Sequence, residues 1–175
     1  TWNGKAIDRD MRLRFGYMPE ERGLYPKMKV GENIAYFARL SGMESKAASE
    51  AAARWLARFD LIPRSTAKLE ELSHGNQQRV QLACALVLDP EVAVLDEPFA
   101  GLDPIGMETM TQVLRSLAAA GMTIVFSSHQ LDLVADVCRD VVIIDHGRDV
   151  LRGDVSELRR LSPVRYLEID VNGSA

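Results

Sequence analysis

Val92-Ala93-Val94-Leu95 is an unbroken apolar run of strand length that stops at two successive acids, Asp96 and Glu97. A strand without polar alternation is expected to be covered on both faces, as inside a parallel sheet dressed with helices. The chain downstream supplies what such a sheet needs. Met110, Val113, Leu114 and Leu117 recur at the spacing of one helical face, and residues 122–126 return as another apolar run. Strand, helix and strand in that order make a βαβ unit, so the expected fold is α/β with a parallel sheet.

Upstream, residues 13–18 contain a short strand ending at Pro19, followed by a charged loop, Glu20-Glu21-Arg22-Gly23-Leu24-Tyr25-Pro26-Lys27. Residues 31–59 turn helical, with Ala52, Trp55, Leu56 and Phe59 on one face and a break near Ser41-Gly42. Two helices joined by a turn are expected there. Ser73 reads as the N-cap of a helix running to about residue 88, with Gln77, Gln78 and Arg79 on its wet side and Val80, Ala83 and Val87 buried. Asp89-Pro90 stops it. The alternation continues with a helix over 131–137, a strand over 141–145, a turn at His146-Gly147, a strand over 149–151 and a helix over 154–161. Residues 165–171 alternate like a further strand, and no internal repeat is present.

A chain of 175 residues can bury one substantial core. Its 47% hydrophobic and 26% charged content excludes a long disordered or low-complexity class. The formal charge of -4 gives no electrostatic reason to expect nucleic acid or an anionic lipid surface. Cys84 and Cys138 stand in no metal-ligand spacing and read as buried thiols, which fits a reducing cytoplasm. The longest apolar run, residues 82–88, is far short of the ~20 residues that cross a bilayer, and the polar start of the chain has no secretory pattern. Membrane contact is therefore expected to go through a partner.

Ligands of open α/β sheets collect beyond the carboxyl ends of the strands, where Asp96 and Glu97 fall. Because neighbours on a strand point to opposite sides, one carboxylate can address a magnesium ion while the next addresses a water attacking a terminal phosphate. The alternative is a solvated strand end before a turn. With Phe99-Ala100-Gly101-Leu102-Asp103-Pro104 behind it, the stretch resembles the Walker B and D-loop segment of ATP-binding-cassette (ABC) proteins. That resemblance implies that Asp96 holds Mg²⁺ through water and that Glu97 is the general base. It also implies that Asp103 lies at the contact between two nucleotide domains; a simple turn former before Pro104 is the other reading.

The unpaired N–H groups and partial positive charge of a helix start make a phosphate receptor, and Ser73 with Gly75 offers a hydroxyl and close backbone approach. Leu72-Ser73-His74-Gly75-Asn76, followed by Gln77-Gln78-Arg79, resembles the ABC signature motif. The resemblance implies that Ser73, Gly75 and Asn76 act in trans on the γ-phosphate held by a second subunit. The departures are His74 at the second-glycine position and Asn76 where glutamine is usual. Asn76 keeps an amide donor, and His74 reads as a surface imidazole without function.

Ser127-Ser128-His129 resembles the ABC switch loop, which implies that His129 reaches the γ-phosphate and orients Glu97 and the water. His146, in an Asp-His-Gly turn, reads as merely exposed. Gly16-Tyr17-Met18-Pro19-Glu20 resembles the Q-loop, with Glu20 where a glutamine normally touches Mg²⁺ and the attacking water. A carboxylate can ligate magnesium, although Glu20 also reads as one of several acids on a solvated loop.

A phosphate loop requires G-x-x-x-x-G-K-[ST], whose backbone donors, lysine and hydroxyl meet the phosphates and the metal. No stretch fits, and Gly4-Lys5 is followed by Ala6 in what reads as a turn between short strands. The ordered motifs, spanning about residues 14–161, imply an ABC-type P-loop NTPase core, incomplete at the N-terminus, with a helical subdomain over about 27–88 and the start of an appendage over 164–175. The family resemblance further implies ATP and Mg²⁺ as cofactors, a second nucleotide-binding domain and a membrane permease subunit as partners, no nucleic acid, and a peripheral place at the inner face of the cell membrane. The loop Glu20 to Lys27 and Asn76-Gln77-Gln78 most resemble bacterial sodium or drug efflux exporters. A soluble ABC ATPase of translation or DNA repair, and a noncatalytic permease-binding fragment, are the competing readings. By itself this polypeptide is expected to have little ATPase activity.

Overall fold

The computed structural model describes Gly4, residues 6–12 and residues 14–161. The strand expected over 165–171 and the appendage expected over 164–175 lie outside the described residues. Two compact units are present, one up to His129 and one from Gln130.

The first unit runs α1 (Arg9–Arg12), β1 (Phe15–Met18), α2 (Val30–Leu40), α3 (Ser45–Arg58), α4 (His74–Leu86), β2 (Val92–Leu95), α5 (Pro104–Ala119) and β3 (Thr123–Phe126). Short 3-10 turns, Ile62–Arg64 and Leu69–Glu71, link α3 to α4. Its sheet is parallel in the order β1-β2-β3, with Met18, Leu95 and Phe126 in one row. The βαβ unit β2-α5-β3 is thus formed. The expected break between two helices lies where Gly42 takes a φ of 95°, a conformation open to a residue without Cβ. α4 presses its C-terminal end onto β1. A Cβ on Gly16 would stand 2.3 Å from the Ala85 carbonyl oxygen and 2.9 Å from Pro90 Cγ, so glycine is what lets strand and helix meet.

Met18, Leu82, Leu86, Leu95 and Phe99 are fully buried, and Phe99 meets Phe126 edge-on at 5.5 Å. In α3, Trp55 stacks on Phe59 at 5.9 Å, and the Arg58 guanidinium lies 5.3 Å from the Trp55 ring centre. α2 buries Val30, Ile34 and Ala38 together with Asn33. That amide accepts from the Tyr25 N–H and donates to the carbonyls of Tyr25, Met28 and Lys29, pinning the loop before the helix. Burial in α4 pushes the Cys84 thiol well above its ordinary pKa, which fits the buried thiol expected of it.

Two expectations need correction. β2 is covered only in part on its second face: Val92 is 3% exposed there, but Val94 is 36% exposed and shares its row with Tyr17 at 62% and Val125 at 55%. The covered face carries Gly16, Met18 and Leu95. The second concerns α4, where Gln78 lies buried rather than on a wet side, together with Gln81. Both amides are drawn inward by loop carbonyls, as the site geometry shows.

The second unit runs α6 (Leu131–Val137), β4 (Asp140–Asp145), β5 (Arg148–Asp154) and α7 (Val155–Leu161). β4 and β5 pair antiparallel through the His146-Gly147 turn, where both residues have positive φ. Asp154 accepts from the N–H groups of Ser156 and Glu157 and so caps α7.

Candidate active site

Because β1, β2 and β3 are parallel, the segments that follow them leave the sheet at one edge. The ladder extends one step beyond the strands, with Asp96 N–H donating to the Met18 carbonyl and Ser127 N–H to the Leu95 carbonyl. Glu20, Asp96, Glu97 and His129 all follow this edge.

The Ser127 hydroxyl joins the two acids. It donates to Asp96 Oδ1 at 2.5 Å and accepts from the Glu97 N–H at 2.9 Å. His129 Nδ1 stands 2.9 Å from Glu97 Oε1, and since an ionised carboxylate only accepts, Nδ1 carries the proton in this contact. Glu97 has a φ of 46°, a left-handed conformation that costs a non-glycine residue about 1 kcal/mol. Neighbours hold it there. Its carbonyl accepts from the Ala100 N–H at 3.1 Å and from the buried Gln78 amide at 3.0 Å. Gln81 similarly donates to the Pro19 carbonyl at 2.6 Å, fixing the segment that leads into Glu20. Glu20 itself is exposed.

The start of α4 faces outward. Ser73 is its N-cap, exposed, with Oγ 3.4 Å from the Asn76 N–H. Gly75 packs beside Leu102, a Cβ there falling 3.3 Å from Leu102 Cδ2, so α4 and the 99–103 loop are fitted together. Asp103 caps α5 by accepting from the Gly106 N–H at 2.7 Å, which gives this carboxylate a local structural job. His74 is not idle: its Nδ1 lies 2.9 Å from Arg22 Nη1, which also donates to Gln77 Oε1 at 2.8 Å. Arginine can only donate, so this ring nitrogen accepts. Gln77 in turn donates to the carbonyls of Leu69 and Leu72, both at 3.1 Å. Arg22 therefore ties the loop after β1 to the first turn of α4.

Of the residues singled out in the sequence, Asp96, Glu97 and His129 are joined through direct hydrogen bonds and the Ser127 bridge. Ser73, Gly75 and Asn76 occupy the α4 start, with Asp103 at the start of α5. The bridging part of Ser127 and the clamps from Gln78, Gln81, Arg22 and Asn33 were not foreseen. For Asn33 a signal existed: it shares the helical stripe of Val30, Ile34 and Ala38, where an apolar side chain belongs.

Among the described residues no group of three or more His, Cys, Asp and Glu could hold a metal by itself. Magnesium fits so sparse a set of oxygens, since it keeps several waters and takes one or two carboxylates together with substrate phosphates.

The family model described as ABC transporter matches residues 1–100. An uncharacterized ABC transporter ATP-binding protein of Bacillus subtilis, YhaQ, is 42% identical over 91% of this chain and 54% of its own length. The Nod factor export ATP-binding protein I of Burkholderia orbicola is 40% identical over 83% of this chain and 48% of its own. The chain thus spans about half the length of these curated relatives. A solved ATP binding subunit of an ABC transporter matches with a TM-score of 0.74 at 30% identity, covering 85% of this chain and 62% of that one. Sequence motifs, parallel sheet and relatives agree, and the chain belongs to the ABC transporter family, as an ATP-binding domain homologous to those of bacterial transporters.

Proposed function

We propose that the full-length protein carrying this sequence is the ATP-hydrolysing subunit of a bacterial exporter. In this reading head-to-tail pairing of two nucleotide domains around ATP drives a membrane permease. The observation that carries it is the set of contacts around Glu97: a carboxylate hydrogen-bonded to His129, its N–H held by the hydroxyl that also engages Asp96.

Glu97 is the general base that accepts a proton from the attacking water. His129 holds the carboxylate from its Nδ1 side and leaves Nε2 for the terminal phosphate. Asp96 and Glu20 are the carboxylates for magnesium, which supplies neutralisation of the phosphate charge when bound. Ser73, Gly75 and Asn76 close over the phosphate of the partner domain, an assignment supported by the outward-facing, exposed start of α4. Asp103 lies at the contact between the two domains, beside its capping role. The helical segment over about 27–88, which holds α2 and α3, docks the permease, with the nucleotide subunit peripheral to the membrane. No helix among the described residues is long and apolar enough to cross a bilayer itself. Export is favoured by the Nod factor export relative.

The deciding experiment uses Glu97→Gln in the full-length protein. ATP turnover is expected to vanish while ATP-induced pairing persists, and normal turnover would remove Glu97 from the base role.

A further inference from the structure

Glu97 is held at each of its polar groups. Ser127 and His129, which engage its N–H and carboxylate, both follow β3, whereas one of the two donors to its carbonyl comes from α4. That donor is Gln78, 3% exposed and so closed to any direct contact with nucleotide. A buried glutamine loses both hydration and rotamer freedom, and an apolar side chain of the same length would fill the space as well. What the amide adds is a hydrogen bond to the peptide that follows a residue in left-handed conformation, φ 46°.

The Ala100 N–H reaches the same oxygen, but from three residues along the same turn, so it moves with Glu97. Gln78 is different, because it anchors that peptide to a separate helix. It also stands on the helix whose start carries Ser73, Gly75 and Asn76.

We propose that Gln78 is a positioning residue for Glu97, its amide fixing the carbonyl at residue 97 and thereby the direction in which the carboxylate leaves the chain. The inference rests on the reading of Glu97 as the base. A group that only aims the base affects the chemical step more than ATP binding, because the ground state does not need the carboxylate in its reacting direction.

The test uses the full-length protein carrying this sequence, with steady-state ATPase kinetics and thermal melting. Gln78→Met keeps the length and apolar volume and removes the donor. The expected result is a kcat lower by about tenfold or more with KM for ATP essentially unchanged. An unchanged kcat, or a change confined to KM, overturns the proposal. Should Gln78→Met melt before assay, Gln78→Asn decides: it keeps the amide but is one methylene shorter and falls short of the carbonyl that Gln78 reaches at 3.0 Å, so kcat is expected to drop with KM for ATP held, and a parental kcat overturns the proposal. Glu97→Gln is run beside them. Full turnover in that variant removes the base reading and this inference with it, whereas its loss combined with normal Gln78→Met kinetics removes the inference alone.

Discussion

Ser127 shows how much a single hydroxyl can organise. As acceptor it takes the Glu97 N–H, and as donor it reaches Asp96 Oδ1, so two carboxylates with different proposed tasks share one fixed point. Without it the Glu97 peptide keeps only its carbonyl and carboxylate contacts. A hydrogen bond to a charged group contributes about 1.5–3 kcal/mol, which corresponds to roughly a tenfold to hundredfold loss in rate if it is needed in the transition state. Ser127→Ala in the full-length protein is therefore expected to lower kcat by at least about tenfold with little change in melting temperature, since residue 127 is exposed. Steady-state ATPase assays paired with a melting curve check it. An alanine variant with parental kcat would show that the acids hold their places without the bridge.

At the scale of elements, the close approach of α4 to β1 is the most demanding fit in the first unit. Gly16→Ala would drive a methyl group into the Ala85 carbonyl and Pro90, backbone and ring atoms that cannot swing aside. The expected cost is at least about 1–3 kcal/mol, read as a lower urea midpoint, with the Gln81 anchor at Pro19 disturbed as the strand shifts. A midpoint equal to the parent's would mean that helix and strand separate freely. This contact was invisible in the sequence, because it joins residues about seventy apart and leaves no periodic trace. The elements themselves were legible. The apolar run at β2, the helical face of α5 and the Ser73 cap each follow from local spacing or local hydrogen-bond needs. Gln78 was misplaced because polarity normally marks the wet side of a helix, and only the position of the Glu97 carbonyl reveals why this amide turns inward. The acid pair and His129 could be ordered along the chain, yet the hydroxyl joining them belongs to a residue whose type says nothing by itself.

For the molecule as a whole, the proposed function makes the groups around Glu97 and the exposed start of α4 two incomplete halves of one kind of phosphate site. The first offers carboxylates and an imidazole, which repel or merely orient a polyphosphate; the second offers a helix N-terminus that faces away into solvent. Neither supplies the lysine and wrapped backbone donors that hold phosphates firmly, and no G-x-x-x-x-G-K-[ST] segment occurs in these 175 residues. Electrostatics point the same way, because a net charge of -4 does not concentrate an anionic ligand. The 175-residue polypeptide is thus expected to bind Mg-ATP no more tightly than about millimolar. Titration calorimetry is the measurement, with circular dichroism on the same sample to show that the helices are formed and the full-length protein as the binding control. Micromolar affinity in the 175-residue polypeptide would mean that the edge carrying Asp96, Glu97 and His129 grips the nucleotide without a phosphate loop, and that the order of importance argued for the two halves is reversed.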